Sequence, residues 1–332
     1  MKRNIIQTIK ILLKAILRPP YHFIKWILHH TILLPPKSIG YIFMLHRVDE
    51  YEEGHLWCNE HMKITPDFLD KVLGLLKEKF DIIPLTEVPA RLQQKNKRKF
   101  VAFTMDDGYK DNFTKALPVF KKYNAPYTIF ITTNFPDRQA ILWWYELEDL
   151  LLKNDSITLS NGITYNSRNY DEKCNSFLKI REEILKLNQL DLINELNKLF
   201  ANYTINWTGK CEELCLSWDD IKLLKNEKLV TLGAHTKNHY NLKQLDTEND
   251  VKNEILNGVE RLQEIAGIKP IVFAYPFGSS NEAGEREYKI LNGLDFVCSC
   301  IAYGGACSKK SKNLSALPRY MMNKDFKIKD LK

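Results

Sequence analysis

The chain contains 332 residues, enough for one large domain or two small ones, and its composition is that of an ordinary soluble globular protein. The net charge of +7 comes from the first 37 residues, because the rest of the chain carries equal numbers of basic and acidic residues. This distribution gives no support to nucleic-acid binding, and seven cysteines without paired spacing do not resemble a disulfide framework.

Residues 1–37 form a predicted segment of their own, a basic amphipathic pair of helices separated by Pro19-Pro20. No stretch reaches the roughly 18 uninterrupted apolar residues of a membrane span, and lysines interrupt any signal-peptide core. Basic amphipathic helices that contain Trp suit an anionic membrane surface, so we expect peripheral attachment there. The alternative is a helical pair packed on the domain or on a second subunit. Free thiols and the lack of a secretory signal predict the cytoplasm, at the inner face of the cell membrane.

Residues 38–332 form the second predicted unit, in which apolar strands alternate with helices. This alternation predicts an α/β fold with a largely parallel sheet. From about 153 to 215 the pattern turns helical and polar, with its longest helical stretch at 181–199, which predicts an insertion that caps the site. The predicted strands cover 41–45, 81–85, 100–103, 127–131, 229–234, 271–274 and 296–301, and the principal helices cover 66–80, 112–123, 248–266 and 284–292.

Two adjacent carboxylates, Asp106 and Asp107, stand where the predicted strand 100–103 ends. Adjacent strand residues point to opposite faces, so a bend is needed before both can face one site, and Gly108 allows that bend. Two close carboxylates repel each other, so a nearby cation or a shared proton would be needed to hold them together. The alternative is a solvated turn, in which Asp-Gly is common.

Two histidines, His235 and His239, follow another predicted strand. A spacing of four places them on one face if the segment turns helically, within reach of one metal ion. Two imidazoles and one carboxylate are a common ligand set for a catalytic divalent ion that keeps a position open for water. The alternative is a structural role for both side chains.

Several motifs together resemble the polysaccharide deacetylases, carbohydrate esterase family 4 with its NodB-homology domain. Thr104–Gly108 is similar to the family's T-F-D-D-G, and His235–His239 is similar to its H-[S/T]-x-x-H. Phe273–Gly278 resembles the third motif, and Leu317–Tyr320 resembles the terminal L-P-R. Met44–Val48 resembles the Y-H-x-V opening of a subgroup with permuted motif order. The resemblance implies an incomplete (β/α)7-type barrel, with catalytic residues at the carboxyl ends of its strands.

The resemblance also implies metal-dependent hydrolysis of N-acetyl or O-acetyl groups on a glycan, in which a metal-bound water is the nucleophile. The glycan would be a cell-surface polysaccharide or its precursor. The metal would be Zn²⁺, with Co²⁺, Ni²⁺, Mn²⁺ or Fe²⁺ as alternatives, held by Asp107, His235 and His239. Asp106 would be the general base and His46 the proton donor.

The remaining implied roles concern orientation, the oxyanion and the sugar. Ala274 stands where the commoner motif has Arg, so Arg319 is expected to orient Asp106, which requires its guanidinium to lie within hydrogen-bond reach. The backbone N–H near Tyr275 would hold the oxyanion. The implied substrate contacts are Trp143, Trp144, Pro276, Phe277 and Gly278, although a Trp pair at a helix start is more often part of the core.

Two other functions remain open from the sequence. One is a hydrolase of the same fold that acts on another amide or ester. The other is a non-catalytic carbohydrate-binding or scaffold protein, although such a protein has no need of the buried charges that Asp106 and Asp107 would carry.

Overall fold

The computed structural model describes residues 38–94 and 97–331. The predicted amphipathic segment 1–37 lies outside the described residues, so its membrane attachment stays a prediction. Within the described ranges, no helix is both long enough and apolar enough to cross a membrane.

Seven parallel strands form a closed barrel, which confirms the predicted α/β barrel. The order around the barrel is β1, β13, β11, β10, β9, β6 and β5, and pairing of β1 with β5 closes the ring. Short strands extend or flank the barrel: β4 pairs with β5, β12 with β1, and β2 with β3. The strands are β1 Gly40–Leu45, β2 Arg47–Val48, β3 Lys63–Ile64, β4 Asp81–Ile82, β5 Phe100–Met105, β6 Tyr127–Ile131, β7 Ser156–Thr158, β8 Thr164–Asn166, β9 Val230–Ala234, β10 Val272–Ala274, β11 Cys298–Gly304, β12 Ala306–Cys307 and β13 Leu317–Met321.

The helices begin and end largely where the capping residues predict. Thr65 caps the helix that starts at Pro66, Ser217 and Asp220 form a capping box, and Gly267 ends the longest helix in a left-handed conformation. The α-helices are α1 Trp57–Glu60, α2 Pro66–Lys79, α3 Val88–Gln93, α4 Leu117–Tyr123, α5 Trp143–Lys153, α6 Tyr170–Ile184, α7 Leu192–Leu199, α8 Cys211–Leu214, α9 Trp218–Lys225, α10 Glu248–Ala266 and α11 Glu285–Asn292.

Alternation along the barrel strands separates two apolar clusters. Ile42 and Ala102 belong to the cluster inside the barrel, whereas their neighbours Phe43 and Phe103 pack outward with the surrounding helices. Cys298 and Cys300 are buried inside the barrel as free thiols, as expected of small apolar side chains.

The insertion departs from its prediction in detail. The helical stretch predicted at 181–199 is two helices, because α6 ends at Ile184 and α7 starts at Leu192. A two-stranded hairpin, β7 with β8, precedes them. The insertion packs its own apolar cluster with α5, and this second core places α6 beside the carboxyl ends of the barrel strands. The predicted helix 112–123 also differs, since it begins with a π-helical segment at Asn112–Ala116.

Candidate active site

The register of the barrel brings the predicted site residues from distant parts of the sequence together. β1 and β5 pair in parallel from Gly40 with Phe100 to Leu45 with Met105, so the next residues, His46 and Asp106, emerge side by side. The Asp106 N–H donates to the Leu45 carbonyl at 3.0 Å and extends this pairing by one residue. The site therefore lies at the carboxyl ends of the strands, as parallel barrels favour.

A sharp turn lets both carboxylates face this end of the barrel. Asp107 has φ 77° and Gly108 has φ 92°, both in the left-handed region. A non-glycine residue in that region is uncommon and is retained where the surroundings over-determine it. Asp106 and Asp107 are both buried, with 2% and 4% of their surfaces exposed. The bend that the sequence required is present.

Asp107, His235 and His239 converge on one point. Oδ1 of Asp107 lies 3.2 Å from Nε2 of His235 and 3.2 Å from Nε2 of His239. One ligand atom from each residue can be chosen so that all three lie within 4.8 Å of one another. Asp107 Oδ1 is buried and accepts no hydrogen bond from the described residues. A buried, unpartnered carboxylate oxygen between two imidazole nitrogens fits the coordination shell of a divalent cation.

The orientation of His235 also suits a metal ligand. Its Nδ1 lies 2.7 Å from the Ala274 carbonyl, which is where an Nδ1–H would donate. That hydrogen bond leaves the lone pair of Nε2 free to point at Asp107 and a cation. Ala274, which occupies the position of a motif arginine, therefore contributes its backbone to the site.

The two histidines do not share a helix, contrary to the helical turn considered from their spacing. His235 follows β9, and the chain then bends, with Thr236 at φ 66° and His239 at φ 63°. The Thr236 hydroxyl accepts the N–H of His239 at 3.1 Å, which closes this turn. Two left-handed residues therefore bring the imidazoles to centroids 5.0 Å apart.

Helix α10 braces this turn from behind. Buried Glu254 accepts the backbone N–H of Asn238 at 2.6 Å and its side-chain amide at 2.7 Å. Gly258 allows the helix to approach closely, because a Cβ there would lie 2.7 Å from the carbonyl carbon of Thr236. Burial raises the pKa of Glu254, and its hydrogen bonds with Asn238 lower that pKa in part.

Asp106 forms a bidentate ion pair with Arg319, at 2.6 Å from Nη1 to Oδ1 and 2.7 Å from Nη2 to Oδ2. The rest of the guanidinium is also engaged: Nε donates to the Ile301 carbonyl and Nη1 to the Thr104 hydroxyl. Arg319 thus lies within the hydrogen-bond reach that its predicted role requires, in the fork geometry that arginine offers to carboxylates.

The electrostatics of the two aspartates are set by these partners. Burial by itself raises the pKa of Asp106, but the charge and hydrogen bonds of Arg319 together with the effects of His235 and His46 outweigh it, and the net pKa is lowered. Burial acts in the same direction on Asp107, yet His239 and His235 hold the pKa of that carboxyl well below its usual range. Both carboxylates are therefore ionised at neutral pH.

His46 lines the same cavity as the two aspartates and the two histidines. Its Nδ1 is buried and has no hydrogen-bond partner among the described residues, and its backbone carbonyl accepts from Asn112. Burial lowers the pKa of His46 below its ordinary value of 6.5, so its imidazole is neutral at pH 7.

The third motif is placed differently from expectation. The Tyr275 N–H donates to the Cys300 carbonyl at 3.3 Å and its hydroxyl donates to the Ser315 carbonyl at 2.7 Å, so both groups are committed to the fold. Pro276 and Gly278 form the following turn and do not line the cavity, where Phe277 does. The Phe277 N–H makes no hydrogen bond within the described part of the chain. The available backbone donor near Tyr275 is therefore that of Phe277.

A cavity of about 440 Å³ opens above these residues. Its floor is defined as Asp106, Asp107, His235 and His239, which line it, together with Arg319, which pairs with Asp106 without lining the cavity. Its wall comes from outside the barrel ladder and consists chiefly of Trp57, His61, Trp143, Trp144, Tyr145, Phe177, Leu178, Arg181 and Phe277.

The predicted tryptophans both reach this wall, although Trp143 is only 3% exposed and also belongs to the apolar core. The Trp144 ring lies 5.4 Å from the ring of His239. Sequence analysis missed Trp57 and Arg181, because α1 is only one turn long and α6 has the polar pattern of a surface helix. The polar residues of a surface helix look alike in sequence, so the sequence does not show which of them faces the barrel and its cavity.

Solved structures of several deacetylases share this fold. A Streptococcus pyogenes deacetylase, PplD, in complex with acetate, aligns with 88% of this chain and 95% of its own, at 17% identity and a TM-score of 0.56. IcaB from Ammonifex degensii aligns with 87% and 94%, at 16% identity and a TM-score of 0.54. A de-N-acetylase from Aggregatibacter actinomycetemcomitans aligns with 87% and 97%, at 13% identity and a TM-score of 0.54. No curated protein matches the sequence.

A family model described as polysaccharide deacetylase matches residues 93–292, more than half of the chain. The matched span contains the two aspartates and two histidines of the floor, whereas His46 and Arg319 lie outside it. The chain therefore belongs to the polysaccharide deacetylase family and is a carbohydrate deacetylase.

Proposed function

We propose that this enzyme removes N-acetyl groups from a glycan by metal-dependent hydrolysis, and that it belongs to the permuted Y-H-x-V subgroup. The observation that carries the proposal is the convergence of Asp107, His235 and His239 next to the Asp106–Arg319 pair in one cavity. The three donors fit a divalent ion, with Zn²⁺ the first candidate for a His₂Asp set. Met44–Val48 supports the subgroup, because it ends β1 beside the aspartates as that motif would.

The metal, when bound, supplies a water of lowered pKa and a Lewis acid for the acetyl carbonyl. Asp106 is the general base that takes a proton from the attacking water. Its bidentate pairing with Arg319 fixes the carboxylate in place and keeps it ionised. Asp106 and not Asp107 has this role because Asp107 is held between the two imidazoles.

Two further groups complete the reaction. The neutral imidazole of His46 can accept a proton released at the floor and donate it to the leaving amine, which is how a histidine acts as an acid after acting as a base. The Phe277 N–H, which has no partner among the described residues, is the backbone donor near Tyr275 that stabilises the oxyanion.

The non-catalytic alternative accounts poorly for the floor. Keeping two buried carboxylates, two buried imidazoles and a fully buried guanidinium at one strand end costs desolvation energy that a sugar-binding surface does not require.

The first test is the metal content of the purified full chain beside a His235→Ala/His239→Ala double variant. We expect about one divalent ion per chain in the wild type and a loss of both metal and acetate release in the double variant. The matched control is His55→Ala, which should keep its metal. This variant removes a partly exposed imidazole whose Nδ1 lies 3.4 Å from Oε1 of Glu148. Absence of metal from the wild type after addition of zinc or cobalt would contradict the mechanism.

We also propose that residues 1–37 attach the enzyme to the inner face of the cell membrane, where it would meet a cell-surface polysaccharide precursor. The supporting observation is their excess of basic residues and amphipathic pattern. Deletion of residues 1–37 should abolish co-sedimentation with anionic phospholipid vesicles, and unchanged co-sedimentation would contradict this proposal.

A further inference from the structure

Arg181 brings a positive charge into the cavity from the insertion. It lies in the last turn of α6, and the carbon at the centre of its guanidinium is 5.8 Å from the centroid of the Phe277 ring. Phe277 in turn lies 4.6 Å from the ring of His239. One aromatic ring therefore separates this charge from a predicted metal ligand.

Two other arginines belong to this region, Arg47 in the cavity lining and Arg319 behind Asp106, and both form ion pairs with acidic side chains. Arg319 forms its ion pair with Asp106 at the floor. Arg47 pairs with Asp111 and Asp49 and also donates to the Tyr145 hydroxyl. These two guanidinium groups are neutralised by the protein and have little capacity left for a ligand.

Arg181 differs from them, because within the described residues its guanidinium donates no hydrogen bond and forms no ion pair. The acid with the largest electrostatic effect on it, Glu282, instead accepts the N–H and the hydroxyl of Ser279. Burial lowers the pKa of Arg181, which reflects the partial loss of its hydration. Five N–H donors in a half-desolvated position, with no acceptor from the chain, require acceptors from water or from a ligand.

A structural role explains only part of this arrangement. A cation in the last turn of a helix interacts favourably with the helix dipole, and a guanidinium above an aromatic ring gains a cation–π interaction. The contact with Phe277 accounts for the position of Arg181 at the cavity, since that ring lines it. Neither effect supplies a hydrogen-bond acceptor for the guanidinium N–H groups.

We propose that Arg181 recognises an anionic group of the substrate, a carboxylate or phosphate on or beside the acetylated sugar. This inference rests on the proposed function, because it names the class of glycan that the same cavity binds. A planar guanidinium matches both anions through paired N–H donors. A uronic acid neighbour would supply the carboxylate, and a sugar linked to a lipid or nucleotide would supply the phosphate.

Binding to three probes by titration calorimetry tests the proposal without requiring turnover. The probes are a chitin tetrasaccharide, which is neutral, a hyaluronan tetrasaccharide, which carries carboxylates, and UDP-N-acetylglucosamine, which carries phosphates. The metal-loaded full chain should bind at least one acidic probe about tenfold more tightly than the neutral one, since a charged hydrogen-bond pair is being formed. The probe that is preferred distinguishes a uronate from a phosphate.

Variants assign the preference to the side chain. Arg181→Gln should lose most of the tenfold ratio, Arg181→Lys should keep part of it, and Lys179→Gln, which removes an exposed charge from the same helix, should keep all of it. Thermal denaturation shows whether each variant folds, and the Lys variant remains informative if the Gln variant is unstable.

Equal affinity of the wild type for acidic and neutral probes, or no binding of any probe at millimolar concentration, would overturn the proposal. So would an unchanged ratio in Arg181→Gln. Failure of the proposed function is recognised separately, by the absence of metal from the wild type or of acetate release from every acetylated probe.

Discussion

The floor and the wall of the cavity are built in opposite ways. Every residue of the floor follows or lies on a barrel strand, is almost fully buried, and has a polar atom within 3.2 Å of another floor residue. The wall comes from α1, α5, α6 and the turn after β10, and it contains an exposed tryptophan and an arginine that has no ion pair in the described part of the chain. Under the proposed function, strand ends hold the reacting groups in fixed geometry, while the added helices select the glycan.

The largest effect is expected from breaking the floor at its base. Asp106→Asn keeps the shape of the side chain but removes the proton acceptor, so acetate release should fall by about 10²–10⁴-fold. Metal content should remain near that of the wild type, because the three predicted ligands are untouched. A variant that released acetate at the wild-type rate would show that Asp106 is not the base.

A smaller effect is expected from loosening the support behind the floor. Glu254→Gln should weaken metal affinity by about 10–100-fold, because the amide no longer accepts both hydrogen bonds from Asn238. Competition with a metal-binding dye measures this affinity. Glu260→Gln, an exposed glutamate on the same helix, is the control, and an equal loss in both variants would show that α10 as a whole and not Glu254 positions the turn.

The wall should respond in substrate affinity rather than in chemistry. Trp57 is 46% exposed and lies at the cavity, with its ring stacked on His61 at 4.4 Å. Trp57→Ala should raise KM several-fold with little change in kcat, as expected from the loss of one aromatic stacking surface. Leu223→Ala, at an exposed site on α9, should change neither parameter. A fall in kcat alone would place Trp57 with the floor instead.

The smallest effect is a difference in acid stability of the metal-free protein. The pKa of Asp106 is lower in the folded protein, where Arg319 pairs with it, than its unfolded value of 3.8. Ionised Asp106 therefore stabilises the fold at pH values above 3.8. This stabilisation is lost as the pH falls through the lower folded pKa. The free energy of unfolding should therefore fall more steeply below about pH 4 in the wild type than in Asp106→Asn. Parallel curves from urea denaturation at several pH values would contradict the pairing.

Sequence patterns were sufficient to predict which residues form the floor, because these residues follow buried strands in short motifs. The strand before Asp106 and the cap at Thr65 could be predicted from local chemistry alone. The turn between His235 and His239 could not, since it requires the left-handed conformation at Thr236, a β-branched residue that rarely adopts it.

The wall was less predictable because it depends on how the insertion packs. Nothing local distinguishes Arg181 from the exposed lysine two residues earlier, and only the fold places one in the cavity. The same limitation affected the third motif, where hydrogen bonding, not sequence, separates the committed N–H of Tyr275 from the available N–H of Phe277.

The close approach of Gly258 to Thr236 has a consequence for directed evolution of the enzyme. A single methyl group at this position would collide with main chain and not with a flexible side chain, so the helix would have to shift outward. The distance and angle between the imidazoles of His235 and His239 would then change, although neither histidine had been replaced. A library that spares only the chemically reactive positions would therefore disturb the proposed metal site through a residue that has no side chain.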